Sequence, residues 1–191
     1  MVYVFLADGF EEIEALCPID LMRRAGIKVT TVSVSDKKQV TGSHNISVEA
    51  DILMDQLKTD ELPELIMLPG GMPGAVNLSE DKRLCQLLRS SYAAGGRIAA
   101  ICAAPFILGE LGFLENKEAT CYPGYEKSLI GARISEKGVV RDGNIITAAG
   151  MGVSFEFGLE IVRELCGFET AERIADSIRF RVNDRDGTAH V

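Results

Sequence analysis

Short apolar runs and amphipathic stretches take turns along this sequence from its first residues to about residue 180, and no other feature restricts the fold as tightly. Residues 2–7 (VYVFLA) are continuously apolar and predict a buried strand. Residues 18–25 carry Ile19, Leu21, Met22 and Ala25 at helical spacing, and Gly26 follows as a stop signal. Residues 28–34 alternate and are rich in β-branched side chains, which predicts a second strand, with a short extra one at 46–48. Residues 65–68 predict a buried strand running into Pro69-Gly70-Gly71. Ser79 is placed to cap the next helix, with Glu80 and Asp81 in its first turn and an end near Gly95-Gly96. Strand 97–101, helix 103–111, strands 118–120, 139–141 and 145–148, and helices 155–165 and 170–180 complete the pattern. Asp142-Gly143 is a hairpin turn signal between the last two strands. Residues 181–191 are polar and expected to fray, leaving one domain over 1–180.

Strand–helix alternation implies a mostly parallel sheet covered on both faces. In such sheets ligands gather beyond the carboxyl ends of the strands. Three segments follow strands and qualify: 8–14, 69–74 and 102–105. A chain of 191 residues can supply one core without disulfide staples. The formal net charge of -8 argues against nucleic acid and anionic membranes as partners. The longest apolar run, 98–108, falls short of the roughly 20 residues of a membrane span. No basic flank precedes the apolar start, so a cytoplasmic location is expected. Five cysteines, an odd number without a C-x-x-C pair, and two widely separated histidines offer neither a disulfide framework nor a metal motif. No cofactor is called for.

Cys102 directly follows a predicted strand and directly precedes a predicted helix with Pro105 in its first turn. A side chain at such an elbow stands clear of the sheet, and a helix N-terminus lowers a cysteine's pKa. The plain alternative is a small buried residue between two elements. The loop 69–74 (PGGMPG) can turn its N–H groups inward as an oxyanion nest, or be an ordinary tight turn; it lacks the Lys and Ser/Thr of a phosphate loop. Glu11, Glu12 and Glu14 sit at a helix start, where acids are commonplace. Pro18 cannot donate to the Glu14 carbonyl, so the local helix is expected to break there and turn Glu14 toward the strand ends. A carboxyl buried beside a thiol would have a raised pKa and could hydrogen-bond the thiolate.

F-E-E-I-E at 10–14, L-P-G-G at 68–71, A-A-I-C-A-A-P at 99–105 and S-F-E-F-G-L at 154–159 occur in the order and spacing of the ThiJ/PfpI superfamily. M-R-R-A-G at 22–26, which contains Arg24, and Ala103 after the cysteine resemble its DJ-one branch. The resemblance runs from residue 2 to about 168. It implies a flavodoxin-like three-layer α/β/α sandwich of the class I glutamine amidotransferase kind, usually a homodimer. It implies that Cys102 is a reactive, oxidation-sensitive thiol, touched by a protonated Glu14. It implies an oxyanion site made of the Gly70, Gly71 and Ala103 N–H groups. Arg24, Cys121 and Tyr122 are possible further neighbours of the site, Cys121 either as a second redox thiol or as packing; His44 could reach a neighbouring site in a dimer but reads more simply as a surface histidine. Members are reported as glyoxalases, protein deglycases, redox-regulated chaperones and oxidative-stress sensors.

Three departures carry weight. Tyr122 stands where the branch often has histidine, and a phenol is a poor base at neutral pH. Ala103 stands where the protease-like branch has histidine, and His44 where some relatives carry arginine. The sequence therefore leads to a cofactor-free, cysteine-dependent glyoxalase or deglycase acting on methylglyoxal or on glycated protein side chains. A redox sensor or chaperone using the same thiol is the alternative. Peptidase or amidotransferase chemistry comes third, for want of a histidine.

Overall fold

The computed structural model describes residues 1–57 and 62–180; the tail 181–191 lies outside them. Its elements, in chain order, begin with β1 (Val2–Leu6), α1 (Glu12–Arg24) and β2 (Val29–Ser33). A hairpin of β3 (Gln39–Thr41) and β4 (Ser47–Glu49) follows, then β5 (Ile52–Leu53) and β6 (Leu65–Leu68). Next come α2 (Gly74–Glu80), α3 (Lys82–Ala93), β7 (Arg97–Ile101) and α4 (Pro105–Glu110). The last part holds β8 (Glu118–Ala119), β9 (Arg133–Ile134), β10 (Val139–Asp142), β11 (Ile145–Ala148), α5 (Ser154–Cys166) and α6 (Phe168–Ser177).

Seven strands form one sheet in the order β10-β11-β7-β6-β1-β2-β5. All neighbours pair in parallel except the β10–β11 hairpin at one edge. The inner strands are apolar on both faces because both are covered. Val2, Val4 and Leu6 face the layer of α1, α5 and α6, with Phe157, Ile161 and Ala171 opposite them. Tyr3 and Phe5 face the layer of α2, α3 and α4, with Leu78, Leu84, Leu88 and Phe106. The result is the three-layer α/β/α sandwich that the alternation predicts.

Two local readings are corrected. Ser79 does not cap the helix after β6. It lies inside α2 and bonds the Val76 carbonyl. Asp81 is the cap of α3, accepting from the N–H groups of Arg83 and Leu84. Helix α1 also begins at Glu12, six residues before Pro18, and continues through that proline. Pro18 is buried where α1 crosses α5, and a Cβ at Gly158 would lie 3.0 Å from Pro18 Cα. Packing of this helix pair offsets the one hydrogen bond that proline removes.

The connection from β1 to β2 leaves to one side of β1, and the path that returns through β6 and β7 lies on the other. The crevice above β1, β6 and β7 is thus the switch point at which such sheets bind ligands.

Candidate active site

Cys102 follows β7 with φ of 65°, a left-handed conformation that a non-glycine residue adopts at a cost of order 1 kcal/mol or more. Its backbone is pinned on both sides: its N–H donates to the Ala148 carbonyl at 2.8 Å, and its carbonyl accepts the Tyr122 N–H at 2.8 Å. The bend lifts the side chain off the sheet before Pro105 starts α4.

Glu14 meets it from α1. Glu11 caps that helix, its carboxylate accepting the Glu14 N–H at 2.7 Å. Glu14 is 1% exposed. Its Oε2 accepts the Gly70 N–H at 3.0 Å, the Met151 N–H also donates to it, and its carboxyl is hydrogen-bonded to Cys102. The absence of a side chain at position 70 makes this meeting possible. A Cβ on Gly70 would lie 2.6 Å from Glu14 Oε2 and 2.7 Å from Cys102 Cβ. The two loops beneath are bonded to each other, Glu11 N–H to the Gly70 carbonyl (3.0 Å) and Gly74 N–H to the Gly9 carbonyl (3.2 Å). Glu14 therefore reaches the strand ends because the first turn of α1 is tied to the loop after β6; no break at Pro18 is involved.

Burial pushes the Glu14 carboxyl up to about 7, against the hydrogen bonds that favour its charged form and with help from the Glu11 charge. Burial first, then the Glu14 charge and hydrogen bond, push the Cys102 thiol up to about 12; the N–H groups of Ala103 and Gly71 work the other way. Two acids in contact cannot both ionise cheaply, so between these values the pair holds one negative charge. The sequence expectation of a thiol lowered by the following helix is corrected accordingly. Helix α4 has six residues and starts three positions later, while the Glu14 carboxylate is in direct contact. A thiolate forms here when the remaining proton sits on Glu14. The Gly70 N–H is also reassigned: it serves Glu14, which leaves Gly71 and Ala103 as the donors to sulfur.

Residues 1–164 match the sequence profile described as the DJ-1/PfpI family. The chain belongs to the DJ-1/PfpI family. Protein dj-1beta of Drosophila melanogaster is 37% identical over 182 residues, 94% of this chain and 97% of the relative. The solved structure of oxidized Toxoplasma gondii DJ-1 shares the fold with a TM-score of 0.91 at 34% identity, covering 95% of this chain and 98% of that one. A protein of Pyrococcus abyssi (strain GE5 / Orsay) named a deglycase is 28% identical over 166 residues, 86% of this chain and 98% of its own length. These relatives support a DJ-1-type function, and no helix among the described residues is long and apolar enough to cross a membrane.

The remaining residues that the family resemblance gathered separate into near and far. Tyr122 is near: its ring Cδ2 would lie 3.3 Å from a Cβ on Gly150, and that Cβ would lie 4.0 Å from Cys102 Sγ. Cys121 is buried in the apolar layer of α2, α3 and α4, and burial pushes its thiol up to about 11; it packs there instead of joining the DJ-1/PfpI pair. Within its own chain Arg24 lies away from the site. It ends α1, roughly 15 Å of helix away from Glu14 by the 1.5 Å rise per residue, and pairs with Asp20 at 2.6 Å.

His44 is bound to Glu12: its backbone N–H donates to Oε1 and its Nδ1 to Oε2, both at 2.8 Å. Ligand atoms of Glu11, Glu12 and His44 lie within 4.8 Å of one another, a cluster that sequence distance hides. Both Glu12 oxygens are taken up by N–H groups, and Glu11 Oε2 by that of Glu14, so these groups latch the β3–β4 hairpin to α1. Met151, whose N–H holds the Glu14 carboxylate, gives no signal in the sequence.

Proposed function

We propose that the protein is a cofactor-free glyoxalase with deglycase capacity, converting methylglyoxal or its adducts on protein side chains to lactate. The observation that carries this reading is the left-handed Cys102 thiol in contact with a buried Glu14 whose pKa is raised to about 7. A group poised near neutrality can give and take a proton at working pH.

The chemistry balances without an outside oxidant. The Cys102 sulfur adds to the aldehyde carbon, and the new alkoxide, steadied by the Gly71 and Ala103 N–H groups, takes the Glu14 proton. Glu14 carboxylate then removes the hydrogen on that carbon, giving an enediol. Reprotonation at the former ketone carbon leaves a thioester of the 2-hydroxy acid. Water cleaves the thioester, releasing lactate and the thiol. The aldehyde carbon is oxidised, the ketone carbon is reduced, and one water is consumed.

A named deglycase among the relatives supports this reading. We take the working protein to be a cytoplasmic homodimer; exposed Ile13 and Leu16 on α1 and Ile46 on the adjoining hairpin support the dimer. Purified protein given methylglyoxal should release lactate, and Cys102→Ser should release none above the uncatalysed background. A mutant equal to wild type removes Cys102 from the chemistry.

A second reading uses the same sulfur as a redox sensor or redox-regulated chaperone. Two N–H donors and a protonated carboxyl around one sulfur also suit a sulfinate. Mass spectrometry after mild peroxide distinguishes the two: a gain of two oxygens confined to Cys102, together with negligible lactate release, favours sensing. Peptidase chemistry gains no support, since His44 is committed to Glu12 and His190 lies outside the described residues.

A further inference from the structure

Met72, Tyr122 and Met151 are about half exposed, at 47%, 51% and 53%. Each is nonetheless tied by backbone to the reacting pair. Met72 lies two residues after Gly70, where a Cβ would sit 2.7 Å from Cys102 Cβ. The Tyr122 N–H donates to the Cys102 carbonyl, and Met151 follows Gly150, where a Cβ would sit 4.0 Å from Cys102 Sγ. Position 150 carries no side chain, which leaves the edge of the Tyr122 ring and the Cys102 thiol facing one another across it. Three segments distant in sequence, those after β6, β8 and β11, thus each place one half-exposed large side chain within two residues of a backbone position that borders Cys102.

Apolar side chains left in water beside a reactive group are unfavourable unless something covers them. The charges that act on the pair come from Glu14 and Glu11, which disfavours an anionic substrate. Thioethers adapt their shape and pack on ring edges, and a tyrosine ring pairs edge-on or offset with another ring. A methyl substituent, one carbon beyond the ketone, is too short to use all three.

The geometry points to 2-oxoaldehydes with an aryl group on the ketone carbon, the class of phenylglyoxal, as preferred substrates, with Met72, Tyr122 and Met151 as specificity-determining residues. This rests on the glyoxalase reading and deepens it. The balance is unchanged: aryl 2-oxoaldehyde plus water gives aryl 2-hydroxy acid, mandelate from phenylglyoxal, with the same internal transfer of hydrogen.

Two measurements keep the proposal and the underlying reading apart. The first compares kcat/KM for phenylglyoxal and methylglyoxal, following mandelate and lactate, with Cys102→Ser as blank. The second needs no turnover: the rate of Cys102 alkylation by N-benzyl iodoacetamide relative to iodoacetamide, read by mass spectrometry. Both ratios are taken for wild type, for Tyr122→Ser, and for a variant with serine at all three positions, each checked for native circular dichroism. In wild type each ratio should exceed that of the triple variant by about tenfold, the scale on which apolar contacts discriminate substrates, with Tyr122→Ser in between. Equal alkylation ratios in wild type and both variants overturn the proposal, whatever the turnover. A tenfold alkylation ratio without any hydroxy acid formed upholds the aryl-selective rim and sinks the glyoxalase reading instead. Lactate formation with no aryl preference in either assay does the reverse.

Discussion

Glu12 and Glu14 stand two residues apart in the first turn of α1, at 3% and 1% exposure, and ionise in opposite directions. Burial pushes both upward. At Glu12 that push is overcome by hydrogen bonds from the His44 side chain, from its own N–H and from the N–H groups of His44 and Ile46, which hold it at about 2. At Glu14 two backbone donors and Cys102 do not suffice, and the acid stays near 7. The donors that converge on a buried acid decide its charge. One carboxylate fastens a hairpin to a helix; the other is left with a proton to trade.

The sharpest way to break that contrast is to remove each charge in turn. Glu14→Gln should lower the rate of lactate formation by about 10²–10⁴-fold, the usual worth of a positioned acid–base group, whereas Glu12→Gln should change it by less than about tenfold. In the same Glu14→Gln protein the Cys102 thiol should ionise below its wild-type value of about 12, because the neighbouring charge is gone; thiolate absorbance against pH reads this. An unchanged rate and titration in Glu14→Gln would show that Glu14 does not act on Cys102.

Stability should run the other way. Glu12→Gln sets an amide NH2 against N–H donors and should cost about 1–3 kcal/mol in urea unfolding, while Glu14→Gln should cost less or stabilise. The pH dependences should cross. Glu12 has a folded pKa below its ordinary 4.5, so its contribution is whole above pH 4.5 and fades as pH falls toward 2. Glu14 has a folded pKa above 4.5, so its contribution is whole below pH 4.5 and is lost as pH rises to about 7. Unfolding free energies of wild type and the two glutamine variants from pH 3 to 8 test both signs. His44, raised by Glu12, adds a part that is whole below its ordinary 6.5 and is lost at higher pH.

The smallest effect should come from the far end of the same helix. Arg24→Ala removes an exposed pair with Asp20 and should shift stability by no more than about 0.5 kcal/mol, without changing lactate formation.

Much of this arrangement is legible in the order of residues. The apolar run of β7, the small residues around Cys102 and Pro105 identify an elbow without any contact map, and the β1 and β6 runs mark which loops adjoin it. Glu14 is legible as an acid after a strand, yet no break at Pro18 sets its direction, since packing on α5 overrides local propensity. The Glu12–His44 latch joins residues 32 apart through a hairpin, and nothing in local spacing reports such a partnership. Choice among N–H donors is equally hidden: Gly70 and Gly71 are adjacent and identical in sequence, and serve different acids. Two-residue β5 and the division of α2 from α3 at Asp81 fall below the length at which periodicity speaks.

The bonded loops under the site have a consequence for how the protein tolerates change. A Cβ on Gly9 would lie 2.4 Å from Pro73 Cδ, one on Gly71 2.3 Å from the Glu11 nitrogen, and one on Gly74 2.5 Å from the Phe10 nitrogen. Residues 9–11 and 70–74 therefore form one mutational locus, though some sixty positions separate them in the chain. Damage in either half should saturate: once one loop is displaced, a lesion in the other has little left to disturb, so double variants should fall short of the sum of their singles. A selection that randomises only one of these loops would find it nearly frozen, and variation accepted there should arrive in matched pairs.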